Sequence, residues 1–135
     1  MKPKTYHAFL RGGNEVPPVR TVATGNVFFR LNDAGNRLFF RMVVRDIARV
    51  TQAHIHLGRR GENGPVVAFL FGPSKYGITT RRGVVCGSLT RSDLVGPLQG
   101  DPLRDLIAEI NRGNAYVNVH TTQHPNGEIR GQIVR

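Results

Sequence analysis

Ala53-His54-Ile55-His56-Leu57-Gly58 and Tyr116-Val117-Asn118-Val119-His120 are the two stretches from which the fold can be read. Successive side chains of an extended strand point to opposite faces. Ala53, Ile55 and Leu57 therefore share one face, and His54 and His56 the other. In the second stretch Ala115, Val117 and Val119 make an apolar row, while Tyr116, Asn118 and His120 make a polar one. Alternation of this kind predicts strands with one side on a core. With the two strands close together in one sheet, three imidazoles gather on the face turned away from the core, an arrangement that suits a metal ion.

Working outward, the same alternation recurs along the chain. Tyr6 to Leu10 predicts a first strand, followed by a stiff connector at Glu15-Val16-Pro17-Pro18, where the prolines remove ladder donors. Residues 25–31 and 37–44 flank the turn Asn32-Asp33-Ala34-Gly35-Asn36 and predict a hairpin. Pro65 to Phe71 is a near-continuous apolar run, as a core strand requires, and Gly83 to Ser88 reads as a strand containing Cys86. Residues 115–120 and 128–134 form a further hairpin, whose outward row places Glu128 or Arg130 beside the histidines. One helix is expected near residues 102–112: Asp101 as cap, Pro102 at the first position, Gly113 as the stop, and Leu103, Leu106, Ile107 and Ile110 in one stripe. The whole predicts a single all-β domain over residues 1–135, a Greek-key β-sandwich with one short helix.

Composition narrows the function. The 135 residues are 39% hydrophobic and 21% charged, with sixteen glycines and eight prolines, which suits an ordinary globular domain rich in turns. Nineteen Lys and Arg against nine Asp and Glu give a net charge of +10, a surface that attracts polyanions such as an anionic envelope or coat polymer. The arginines are dispersed, and no stacking aromatics stand at a recognisable spacing along the chain, so nucleic acid is not an expected partner. A lone cysteine rules out an intramolecular disulfide. No apolar run reaches the length of a membrane span. The basic amino terminus lacks the apolar stretch of a secretory signal, which makes the chain cytoplasmic by default.

The histidines carry the chemistry. Neutral imidazole suits copper, zinc and nickel, and two histidines at i and i+2 with a third across the sheet can form a trigonal or tetrahedral set. His54, His56 and His120 are the expected ligands, His124 a possible fourth, and Glu15 or Glu128 oxygen alternatives. Tyr116, Asn118 and Gln132 stand where they could fix ring tautomers. His7 reads as a surface residue. The serines lack a nucleophile-elbow context, no carboxylates are paired for acid–base work, and the glycine clusters are not followed by a helix, so hydrolase and phosphate-binding readings fall away.

Several motifs together carry a resemblance. Asn14-Glu15-Val16-Pro17-Pro18, Ala53 to Gly58, Asn63-Gly64-Pro65-Val66-Val67, Gly113 to Thr121 and Pro125 to Gln132 closely resemble the chordin-domain (CHRD) family in the same order. The family takes its name from an animal extracellular antagonist of growth factors. Its members are commonly exported, which the missing signal departs from. The site itself is weakly similar to the copper half of Cu,Zn superoxide dismutases. That likeness implies His54, His56 and His120 as ligands and Arg130 as a positive group that steers an anion. Too few histidines remain for a separate zinc site.

These readings converge on a small non-enzymatic protein that holds one transition metal, copper first and zinc second. An alternative is a structural or adhesive module, binding an anionic polymer or a protein partner through its basic surface. A third option is copper-dependent redox chemistry of the superoxide dismutase kind. Long strands with polar edges also offer a route to a homodimer.

Overall fold

The computed structural model of the chain describes residues 4–135. Its strands are β1 (Lys4–Arg11), β2 (Thr24–Leu31), β3 (Leu38–Leu57), β4 (Val66–Phe71), β5 (Ile78–Leu89), β6 (Ala115–Thr121) and β7 (Ile129–Gln132), with one α-helix, α1 (Leu103–Asn111), between β5 and β6. The all-β expectation and the single helix both hold. The expected third strand and the histidine strand, however, are one 20-residue element, β3. Asp46 and Arg49, at φ of +53° and +56°, take left-handed conformations at its middle. Such irregularities bend a strand without ending it, so the chain turns a corner there and stays paired.

That bend closes the sheet. The first half of β3 pairs with β2 and β5, and the second half with β6 and β4. Val50 faces Ile78 of β5 on one edge and Thr121 of β6 on the other, which puts β2 and β6 on the same edge. From β2 the ladder runs through β1, β7 and β6 back to β3. The result is one barrel-like sheet closed through β3. Closure is thinnest between β1 and β7, where Arg11 pairs with Arg130 and His7 bridges Val134.

The apolar rows fill the interior. Tyr6, Ala8 and Leu10 of β1, Val27 and Phe29 of β2, and Ala53 and Ile55 of β3 are all buried there. Leu103, Leu106, Ile107 and Ile110 place the apolar stripe of α1 in the same core. The helix starts at a Pro102 cap without a side-chain bond, so Asp101 does not cap it. At its end Gly113, at φ +73°, donates to the Ile110 carbonyl, and Asn114 donates to that of Glu109. This is a Schellman closure. No described helix is long and apolar enough to cross a membrane.

Strands β6 and β7 depart from the expected pattern, being buried on both faces. Their polar row does not meet water. It lies under the loops around residues 12–20, 58–64 and 122–127, as a second and polar interior. Gly131 permits β1 to cross close by, since a Cβ there would stand 2.1 Å from the Phe9 carbonyl oxygen. Gly131→Ala should therefore cost about 1–3 kcal/mol of overpacking, whereas Gly13→Ala, with nothing within 4 Å, should change stability by less than about 0.5 kcal/mol. Urea denaturation of the two variants checks this.

Candidate metal centre

The register of β3 against β6 sets the cluster. Gln52 lies opposite His120, His54 opposite Asn118 and His56 opposite Tyr116, so the polar rows of the two strands interleave. His54, His56 and His120 are only 4%, 7% and 7% exposed, and each offers one nitrogen within 4.8 Å of the others. The Phe69 ring meets His54 edge-on, with centroids 4.4 Å apart.

Hydrogen bonds to the far side of each ring decide which nitrogen is free. A carbonyl can only accept, so the ring nitrogen facing it must carry the proton. His56 Nδ1 donates to Gly64 O at 2.9 Å, and His120 Nδ1 donates to Pro125 O at 2.8 Å. His54 Nε2 donates to Gln52 Oε1 at 2.9 Å. The lone pairs left are His54 Nδ1, His56 Nε2 and His120 Nε2. His56 Nε2 has no hydrogen-bond partner, and His54 Nδ1 faces His120 Nε2 at 3.0 Å.

Two lone pairs at that distance repel unless a cation lies between them. Metal–imidazole bonds of about 2.0–2.1 Å hold neighbouring donors about 2.9 Å apart at right angles and about 3.3 Å apart in a tetrahedron. The observed 3.0 Å falls between these values. A shared proton is disfavoured, because burial first, then the neighbouring His120 and His56, push the His54 pKa down to about 3. Burial also lowers the pKa of His56 and of His120, outweighing the carbonyl bonds that favour their charged forms. The cluster is neutral at neutral pH, the state in which imidazole binds metal.

The other expected site residues take varied places. Tyr116 stacks on His56 with centroids 4.9 Å apart and 6° between planes, and its hydroxyl accepts from the Gly64 amide at 3.1 Å. Glu128 accepts from Thr21 and Thr121 at 2.7 and 2.9 Å, so both its oxygens are engaged away from the rings. Glu15 is buried and its Oε2 has no partner, as is true of Asn118 Oδ1. Burial raises the Glu15 pKa to about 7 against the lowering pull of Arg130 and Asn118. His124 is not among the converging donors; its backbone carbonyl accepts from Thr121 and Gly127 within the turn. Gln132 donates to the Gly58 and Gly113 carbonyls, both at 2.8 Å, and fixes no tautomer. That task falls to Gln52, two residues before His54 and so on the same face, and to two backbone carbonyls.

Arg130 differs most from its expected role. It is 2% exposed, with its guanidinium 3.5 Å from the Tyr116 ring centroid. It donates to Asn63 Oδ1 at 3.0 Å, Arg59 O at 3.1 Å and Glu62 O at 2.5 Å. Instead of steering an anion from solvent, it fastens the 59–63 loop over the cluster.

The arrangement is that of a closed all-β domain whose second, polar interior gathers three histidines under pinned loops. A family model for the CHRD domain matches residues 6–133, and the chain belongs to that family. It is 31% identical over 132 residues to chordin of Xenopus laevis, an alignment covering 92% of this chain and 12% of chordin. The chain thus spans about an eighth of that relative's length. No solved structure matches it.

Two outcomes follow. Arg130→Met should lower stability by about 1–3 kcal/mol, since loop carbonyls lose their partner. It should also speed tryptic cleavage at Arg59 and Arg60, with Arg130→Lys failing to restore the parent rate. The second outcome concerns pH in the metal-free protein. Histidines with pKa values below the ordinary 6.5 stabilise the fold above that pH, and this stability is lost as pH falls from 6.5 toward 3. Glu15, raised from 4.5 to about 7, acts oppositely: its contribution is complete below 4.5 and lost as pH rises through 7. Between pH 7 and 4.5 the two trends offset. The melting temperature of the parent should therefore fall most steeply below pH 4.5, while Glu15→Gln should decline already from pH 6.5. Thermal melts across that range in a chelator read both.

Proposed function

We propose that this chain is a small non-enzymatic metal-binding domain that holds one transition metal, copper before zinc, on His54 Nδ1, His56 Nε2 and His120 Nε2. The observation that carries the reading is the tautomer lock. Three rings from two strands are each hydrogen-bonded on the far nitrogen, as metal-bound histidines commonly are, and their free nitrogens converge. Copper precedes zinc because all-nitrogen sets follow the Irving–Williams order. Glu15, with its unpartnered Oε2, is the better of the two oxygen donors; Glu128 is engaged by threonines. A Greek-key arrangement of the superoxide dismutase kind belongs to the same proposal, as a one-metal counterpart. The buried Arg130 weighs against turnover of an anion there.

The kinship with chordin supports a second reading, a module that docks on another protein, or on an anionic polymer, through its basic surface. Elemental analysis separates the two. Tag-free protein reloaded with equimolar copper or zinc should retain about one metal per chain, and the His54→Ala/His56→Ala double variant little. Negligible metal in both would remove the metal reading and leave the docking module.

A further inference from the structure

A different face of the barrel carries positive charge with no carboxylate among it. Strands β1, β2, β5 and residues 38–45 of β3 hold seven Lys and Arg and no Asp or Glu. They are consecutive neighbours in the order β1-β2-β3-β5. Their outward row carries Phe9, Phe28 and Phe39, which are 50%, 51% and 37% exposed. Large apolar rings on a solvated sheet face call for a partner when they are aligned.

The register aligns them. Phe9 pairs with Asn26, Phe28 with Arg41, and Phe39 with Arg30. Each ring is thus displaced two residues from the one before, in a constant direction, and the three form a diagonal across three strands. Diagonal neighbours of this kind lie about 7–8 Å apart. On one side the parallel diagonal is His7 and Arg30, and on the other Arg11, Asn26 and Arg41. The Arg30 guanidinium lies 4.8 Å from the Phe39 ring centroid. A groove of about 420 Å³ beside the diagonal is lined by His7, Phe28, Arg30, Phe39, Arg41 and Arg135, among others.

We propose that this face binds single-stranded nucleic acid, with successive bases on Phe9, Phe28 and Phe39 and the phosphates between the flanking arginines. Unpaired bases expose their π-faces, and a line of aromatic rings in a basic groove is the usual way to hold them without reading sequence. A paired duplex hides those faces. A polyanion without bases would engage the arginines and leave the rings unused. The absence of carboxylates from β1, β2, β5 and residues 38–45 of β3 keeps the field on this face attractive to phosphate. The spacing runs across strands rather than along the chain, so it emerges only with the register.

Fluorescence anisotropy with labelled oligodeoxythymidylate, in EDTA so that metal takes no part, tests this. Affinity should fall with salt at a slope of about −0.7 per phosphate engaged. Phe28→Leu with Phe39→Leu should weaken binding by about 5- to 100-fold, with the slope unchanged, while Phe28→Tyr keeps parent affinity. Arg41→Gln should reduce the slope by about one phosphate's share. Circular dichroism of each variant confirms that it is folded. The proposal is overturned by no binding, by parent affinity in the folded leucine variant, or by polyphosphate or duplex of matched charge competing as well as the single strand.

Discussion

A guanidinium removed from water must have its N–H groups met by acceptors, and the polar interior of this domain is arranged around meeting that demand. Among the described residues, Arg130 makes no ion pair in the layer into which it carries its charge. The carbonyls of Arg59 and Glu62, the Asn63 amide and the face of Tyr116 supply the compensation. Because those acceptors belong to one loop, satisfying Arg130 also fixes that loop. Once fixed, it delivers Gly64 to both His56 and Tyr116, and Asn63 to Val16 of the proline connector. The His56 tautomer is thus a consequence, at one remove, of burying an arginine.

The second constraint is geometric. A closed sheet needs its strands to curve, and a single bent strand achieves this where two separate ones would leave an exposed edge. β3 supplies the bend through Asp46 and Arg49 and pairs with four strands along its length. The sheet can then have a face whose outer row is solvated and basic, and another whose outer row is covered and polar. One chain trace supports two chemically different surfaces.

Much of this was legible in the sequence because it rests on period-two rows and helix punctuation. The histidine cluster, the stripe and glycine stop of α1, and the placement of Arg130 near the histidines all follow from alternation, hairpin register and helix punctuation. What alternation cannot give is the depth of a row beneath loops. Alternation places His54, Asn118 and Arg130 on a solvent-facing side because polar residues ordinarily face water. Here hydrogen bonds from loop backbone, which carry no side-chain signature, make burial tolerable. The same limit hid the role of the Gly64 and Pro125 carbonyls. The merger of two predicted strands into β3 has no local signature, because a bulge at non-glycine residues reads as a break.

The covered position of the histidines has a kinetic side. The three rings are only 4–7% exposed, so an ion held there as proposed would enter and leave through a largely covered layer. Exchange of a bound ion would then run at the rate of loop opening, set by the contacts of a residue that never touches the ion. A metal centre of the proposed kind would equilibrate slowly with its surroundings. It would suit long retention better than rapid relay.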